Sequence, residues 1–370
     1  PRAMGFRLLV WFGRFLWLVG VTALAAWATG RVLSDRWQWS QYLLWIPSVL
    51  IVPGAVGAAA VGIALARLSR RESGVRTGLF RPFAAITALL GVVAVWTTLS
   101  VDLRFFSRAG EAPPPDQRLR VIHWNASDDI GVRWTQDILD LHPDLVVINP
   151  ASNQPWGPII QGMGEGATVM FLHGFTIISK PGVTLMGDIS LRVEPGEGID
   201  PRQKSGMTSR VDPGRAVWLQ LDTRAQFGRS FVVWLLDLPS DVSLPRRQVT
   251  EEAARAIAES DSRPRVPKGQ GGFEPGEGAR RGFPPPDLVI GDMNIPRGSA
   301  SLERLTGGLR NAYDQAGHGF VATWPSRSPM WHLDQAFIGS GYRATAYAAL
   351  DLGGGTHRGQ LVDVALHSPR

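Results

Sequence analysis

The chain has no cysteine in its 370 residues, which excludes disulfide staples and thiolate metal centres and leaves the redox compartment open. It also lacks HExxH, GxSxG and GxxxxGK. There is thus no zinc-protease helix, no nucleophile elbow and no Walker-type phosphate loop. Acidic residues are scarce in the first hundred positions, which are apolar and rich in tryptophan, and most of them lie later. A net charge of +6 with a pI near 10.2 would suit nucleic acid or an anionic membrane surface. Much of that charge is arginine flanking apolar stretches or in one loop, so it argues little for nucleic acid.

Three apolar stretches have the length of transmembrane helices, Phe12–Thr29, Tyr42–Ala66 and Phe83–Val101, each close to the ~20 residues that span a bilayer. Further apolar spans follow the first, and no clear small-residue cleavage site does, which argues against a signal peptide. Pro47 and Pro53 predict a kink in the second span. Gly54, Ala58 and Gly62 lie four residues apart there, a small-xxx-small face for close helix packing. Trp37, Trp39, Trp45 and Trp96 stand near span ends, as interfacial aromatics do. Arg67, Arg70, Arg71, Arg76 and Arg81 crowd the loop between the second and third spans against a single Glu72. The positive-inside rule makes that loop cytoplasmic, together with the segment bearing Arg2 and Arg7. Everything after Asp102 is then expected outside the cytoplasm, in a multi-pass protein of the cell membrane whose first partner is the lipid bilayer. The expected division is a membrane anchor over residues 1–110 and a second domain over 111–370.

Beyond a proline-rich linker at Ala112–Pro115, short apolar runs end in polar residues. Leu119–Trp124 ends at Asn125, Leu145–Ile148 at Asn149-Pro150, and Phe231–Leu236 at Asp237. Phe175–Ser179 and Val217–Leu221 are further predicted strands. Arg263–Pro286, rich in Pro, Gly and Arg, lacks periodicity and is expected to be a long solvated loop. Leu288-Val289-Ile290 predicts a buried strand, followed by Gly291, Asp292 and Asn294. Extended residues two apart point to one side, so a carboxylate and a carboxamide would leave the strand end together. Alone, this pattern fits an Asp/Asn turn as well as a site that orients water, binds a metal or donates to a phosphoryl oxygen.

GDMN, followed by Thr323-Trp324-Pro325 and His332-Leu333-Asp334-Gln335, resembles the motifs of the endonuclease/exonuclease/phosphatase superfamily in order and spacing. The likeness runs from about Leu119 to the C-terminus. It implies a four-layer α/β sandwich that cuts phosphate esters with a divalent metal, Mg²⁺ or Mn²⁺. By the resemblance, Asn125 binds substrate, Asp292 orients the attacking water and holds the metal, and Asn294 contacts the phosphate. Asp334 supports the site, and His357 is base or phosphate contact. The other histidines, His123, His142, His173, His318, His332 and His367, fall outside any motif and are expected at the surface or satisfied in the core.

Three positions depart from the family pattern. Asn149-Pro150 replaces the pair that supplies the principal metal-binding Glu, and Asp237 replaces a phosphoryl-stabilising His. Thr356 replaces the Asp that orients the catalytic His, leaving His357 without an expected partner. Asp128, Asp129 or Asp237 would have to compensate at the metal. Two functions follow: a metal-dependent phosphoesterase or nuclease, weak or inactive, and a pseudoenzyme that binds a phosphorylated ligand, an envelope component or a partner protein.

Overall fold

The computed structural model describes residues 2–73, 80–107, 112–126, 134–149, 156–191, 214–261, 264–268, 272–276 and 281–367. The chain divides into two compact units, Pro1–Phe106 and Ser107–Arg370.

The first unit is helical: α1 (Arg2–Leu33), the short α2 (Gln38–Leu44), α3 (Ser48–Ser73) and α4 (Phe80–Thr97). Three stretches are long and apolar enough to cross a membrane, Leu8–Leu33, Ser48–Leu68 and Phe83–Asp102. The second begins at Ser48 rather than at Tyr42. Pro47 disfavours helix at the residue before it, so α2 is separate and only Pro53 remains inside α3. Glycines let α1 and α3 approach backbone to backbone. A Cβ at Gly20 would press on Ala55 O and Ala59 N, and one at Gly62 on Gly13 O and Trp17 N. The expected small-residue face is therefore corrected. Gly54 is exposed with nothing near it, and the buried stripe is Val52, Ala55, Ala59 and Ala66, with Gly62 between them. Its 3.6-residue spacing, not a strict four, follows the face turned to α1.

The second unit holds two sheets. One has strands β1 (Arg118–Asn125), β2 (Leu145–Asn149), β3 (Thr168–Leu172), β4 (Phe175–Ser179), β13 (Tyr342–Leu350) and β14 (Gly359–Leu366), in the order β13-β14-β1-β2-β4-β3. The other has β5 (Val183–Leu191), β6 (Gly214–Leu221), β7 (Phe231–Asp237), β8 (Arg265–Lys268), β9 (Gly272–Pro275), β10 (Leu288–Asp292), β11 (Arg310–Asn311) and β12 (Asp334–Ile338). Its order is β11-β12-β10-β7-β6-β5-β8-β9. The β8–β9 pair corrects the expectation of a structureless loop over Arg263–Pro286. Val266 opposite Glu274 and Pro267 opposite Phe273 form an antiparallel extension of the sheet edge.

Alternation along the strands builds the layers. Leu119 and Val121 of β1, Leu145 and Val147 of β2, Val233 and Leu235 of β7, and Leu288 and Ile290 of β10 share one core between the sheets. The intervening Ile122, Trp124, Val146 and Ile148 face outward to Ile138 of helix α5 (Trp134–Leu139) and Ile159 and Met163 of α6 (Gly157–Met163). On the far side, Leu236 and Val289 meet Val249, Ala253 and Ile257 of the helix Arg246–Glu259. Helices, sheet, sheet and helices make the four-layer α/β sandwich expected from the sequence.

Candidate active site

At one rim of the sandwich the inward-facing series turns from apolar to polar. Two residues beyond Val121 and Val147 stand His123 and Asn149, with Asn125 one step further on β1. Two residues beyond Ile290 and Leu235 stand Asp292 and Asp237. Two residues before Ala336 stands Asp334. The period that fills the core with aliphatic groups therefore delivers carboxylates, carboxamides and a histidine to a common edge. Register aligns them, with Asp334 opposite Asp292, Asp292 opposite Asp237, and Asn125 opposite Asn149.

Four of the five predicted site residues meet directly through their side chains. Asn125 Nδ2 donates to Asp292 Oδ2 at 2.7 Å and ties the two sheets together. His357 Nδ1 lies 2.7 Å from Asp334 Oδ2 and 3.7 Å from Asp292 Oδ2. This overturns the expectation that Thr356 leaves His357 without an orienting carboxylate, since Asp334 fills that role from a different strand. Trp124 Nε1 donates to the His357 carbonyl at 3.1 Å and fixes the backbone there. Thr323 Oγ1 accepts from the Asp334 amide at 3.1 Å, anchoring the start of β12.

Asn294, the fifth, closes the turn after β10. Its φ of 48° is in the left-handed region that asparagine tolerates. Its backbone N–H donates to Asp292 Oδ1 at 2.9 Å, and its Nδ2 donates to the Leu238 carbonyl at 2.8 Å. One of the two side-chain N–H donors is thus committed to the backbone.

Burial and coupling set the charges. Burial, reinforced by the Asp334 carboxylate, pushes Asp292 up to about 6, against the pull of His357. Burial also opposes protonation of His357, but Asp334 and Asp292 outweigh it and raise the imidazole to about 9. Asp334 is held below the usual carboxylate range, because His357 prevails over burial there too. At neutral pH the metal-free site therefore holds an imidazolium between two carboxylates. In that state His357 is a donor and a positive charge, not a base. Asp292, titrating nearest neutrality, is the group suited to accept a proton.

Asp292, Asp334 and His357 each offer a ligand atom, all within 4.8 Å of one another. The donor set fits a hard divalent cation, which takes one or two carboxylates with waters. Asp334 Oδ1 is buried without a hydrogen-bond partner among the described residues, leaving an acceptor unused at the same place. A cation there would also relieve the repulsion between the two carboxylates. Asn149 supplies no carboxylate, while Asp237 stands on the inner face next to Asp292 and its charge helps to raise His357. Pro150, Asp128 and Asp129 lie outside the described residues.

A buried polar chain behind the site escaped the sequence reading. The His123 ring stands 3.8 Å from Asp334 Oδ1 and 3.2 Å from Gln360 Nε2. Tyr347 OH bonds Gln360 Oε1 at 3.1 Å and meets His332 Nε2 at 2.6 Å. Burial lowers His123 to about 4 and His332 to about 3, so both stay neutral. The available signal was spacing: His123 is two residues before Asn125 and so shares its face.

The sequence matches no protein-family model and no curated protein. Among solved structures, the chain is similar to an endonuclease/exonuclease/phosphatase family protein from Bacteroides thetaiotaomicron at 13% identity and a TM-score of 0.44, over 70% of this chain and 100% of that one. A mannosyl-6-phosphatase from the same organism gives 13% identity and a TM-score of 0.44, over 67% of this chain and all of that one. An endonuclease/exonuclease/phosphatase from Beutenbergia cavernae gives 16% identity and a TM-score of 0.41, over 68% and 72% of the two chains.

Proposed function

We propose that the chain is a membrane-anchored, metal-dependent phosphoester hydrolase with a remodelled and therefore slow site. The observation that carries this reading is the join of Asn125, Asp292, His357 and Asp334 across two sheets. A buried carboxylate beside a carboxylate-held imidazolium provides one group to hold a cation and orient water and another to face phosphoryl charge. A divalent cation held by Asp292 with Asp334 would supply charge neutralisation at the phosphoryl oxygens. Asn125 keeps Asp292 in place, and the Asn294 N–H fixes its second oxygen. Asp334 keeps His357 oriented, the part that Thr356 cannot play.

The three stretches that can cross a membrane support the anchor, and the arginines between the second and third favour an extracytoplasmic second unit. A second reading, a pseudoenzyme that binds a phosphorylated ligand, draws on Asn149 and Asp237, which stand where the family has a metal-binding pair and a cationic group.

The test is hydrolysis of bis(p-nitrophenyl) phosphate and p-nitrophenyl phosphate by the full chain in detergent with Mn²⁺ or Mg²⁺. Slow turnover, abolished by EDTA and by Asp292→Ala, is expected. No turnover above background with either metal would leave the pseudoenzyme reading in its place.

A further inference from the structure

The polar rim does not stop at Asp237. In the ladder Asp237 of β7 faces Arg215 of β6, and Arg215 faces Ser190 of β5. Val217, Leu219 and Leu221 of β6 point into the inter-sheet core, so Arg215, two residues before Val217, belongs to the same inner series. Neighbouring strands lie about 4.8 Å apart, which roots Arg215 about 10 Å from Asp292 along one row.

The opposite sheet supplies a matching row: Asn125, then Asn149, then the His173-Gly174 turn that leads into β4. The two rows touch at both ends. Asn125 bonds Asp292 at one end, and at the other the Arg215 guanidinium fills the space a Gly174 side chain would need. Gly174 has φ +86°, so a glycine is required there by backbone and by neighbour alike.

Midway stands Asn149, only 1% exposed, with neither side-chain atom in hydrogen-bond geometry among the described residues. It comes near His123 without meeting that geometry. A buried carboxamide without bonds among the described residues is rare and leaves donors and an acceptor for a ligand. His173 next to Arg215 is held by Asp188 at 3.1 Å and Ser190 at 3.0 Å. Burial, with Arg215 and Arg265, lowers its pKa, so the positive charge at this end is arginine rather than imidazolium.

Resting on the phosphoester reading, we infer that Arg215 binds a second anionic group of the substrate, making the preferred substrates phosphate esters with another phosphate beyond the one that reacts. A guanidinium offers a planar fork of donors matched to phosphate oxygens. Asn149, with donors and an acceptor, faces the part of the substrate that joins the two groups. Two sources share this chemistry, successive phosphates of a polynucleotide and the contiguous phosphates of a diphosphate ester.

The test uses the full chain in detergent with Ca²⁺ and measures equilibrium binding of four probes. These are thymidylyl-thymidine with and without a 5′-phosphate, and thymidine diphosphate against thymidine monophosphate. A charge-assisted contact of this kind should tighten binding of the doubly phosphorylated member by about tenfold or more. Arg215→Ala should cut that advantage to under about twofold, and Arg215→Lys, a point charge without the fork, should retain part of it. Should the alanine variant fold poorly by thermal melt, Arg215→Gln carries the comparison. An advantage limited to the dinucleotides identifies a polynucleotide spacing, and one limited to the mononucleotides identifies a diphosphate. No advantage in the unmodified chain, or one that survives Arg215→Ala and Arg215→Gln, overturns the inference. An Arg215-dependent advantage without turnover under Mn²⁺ would uphold it and remove the hydrolase reading instead.

Discussion

Replacing Asp292 with asparagine should stabilise the metal-free protein, although it removes a carboxylate from the proposed metal site. Asp292 is 1% exposed, so its ionisation is not relieved by solvent. Its folded pKa is raised to about 6 from 3.8. With a raised carboxyl pKa, the protonated group costs nothing below about 3.8, and stability is lost as pH rises through about 6. Above that window the loss is about 3 kcal/mol, at ~1.4 kcal/mol for each unit of pKa. Asparagine keeps an oxygen for the Asn294 N–H, but its amide group faces Asn125 Nδ2, so the Asn125 carboxamide must turn over. Charging about 1 kcal/mol for that rearrangement leaves a net gain of about 2 kcal/mol. For a domain of this size the gain is roughly 4–8 °C in Tm. The assay is thermal unfolding of the full chain in detergent with EDTA, followed by tryptophan fluorescence from pH 4 to 8. The variant should fall about 0.5 kcal/mol short of the parent at pH 4, where the rearrangement outweighs the small cost of ionisation, and exceed it from pH 7 upward. Millimolar Mn²⁺ should then raise the parent alone, because only it retains the site, by about 2.7 kcal/mol at a hundredfold excess over Kd. A variant less stable than the parent at pH 7.5 in EDTA would show that Asp292 is a turn residue and refute the reasoning.

Two further outcomes concern the first unit. Gly20→Leu should disrupt the α1–α3 contact and lower the temperature of aggregation in detergent, since even a Cβ there would press on Ala55 and Ala59 backbone, whereas Gly54→Leu should be tolerated because nothing lies near it. Equal effects of the two changes would refute the packing stripe. A reporter fused at the C-terminus should be active only outside the cytoplasm and one fused near Arg76 only inside it; the reverse pattern would invert the orientation.

The strands were legible because burial on both faces leaves continuous aliphatic runs, such as Leu145–Ile148 and Leu288–Ile290. The polar residues that end those runs were legible for the same reason. What the sequence withheld was register. Asp334 and His357 are 23 residues apart, and only the folding of β12 against β10, with the turn before β14, sets them side by side. Judged by its neighbour Thr356, His357 looked unpartnered. Arg215 carries no motif and enters the rim through a cross-strand pairing that no local pattern encodes. The β8–β9 pair was hidden by proline and glycine, which suit an edge strand as well as a loop.

Because the polar residues begin where the hydrophobic layers end, the rim is separable from the body of the sandwich. Exchanging a rim group such as Asp237, Asn149 or Arg215 alters charge and donor count without opening a hole among Val233, Val147 and Val217 beneath. A slip of one residue in any of these strands would have the opposite character. It would turn aliphatic groups outward and withdraw the rim residue together with them. The same architecture can therefore change the charge and donors of its rim through isolated exchanges, while its strand pairings are held fixed by the layers below.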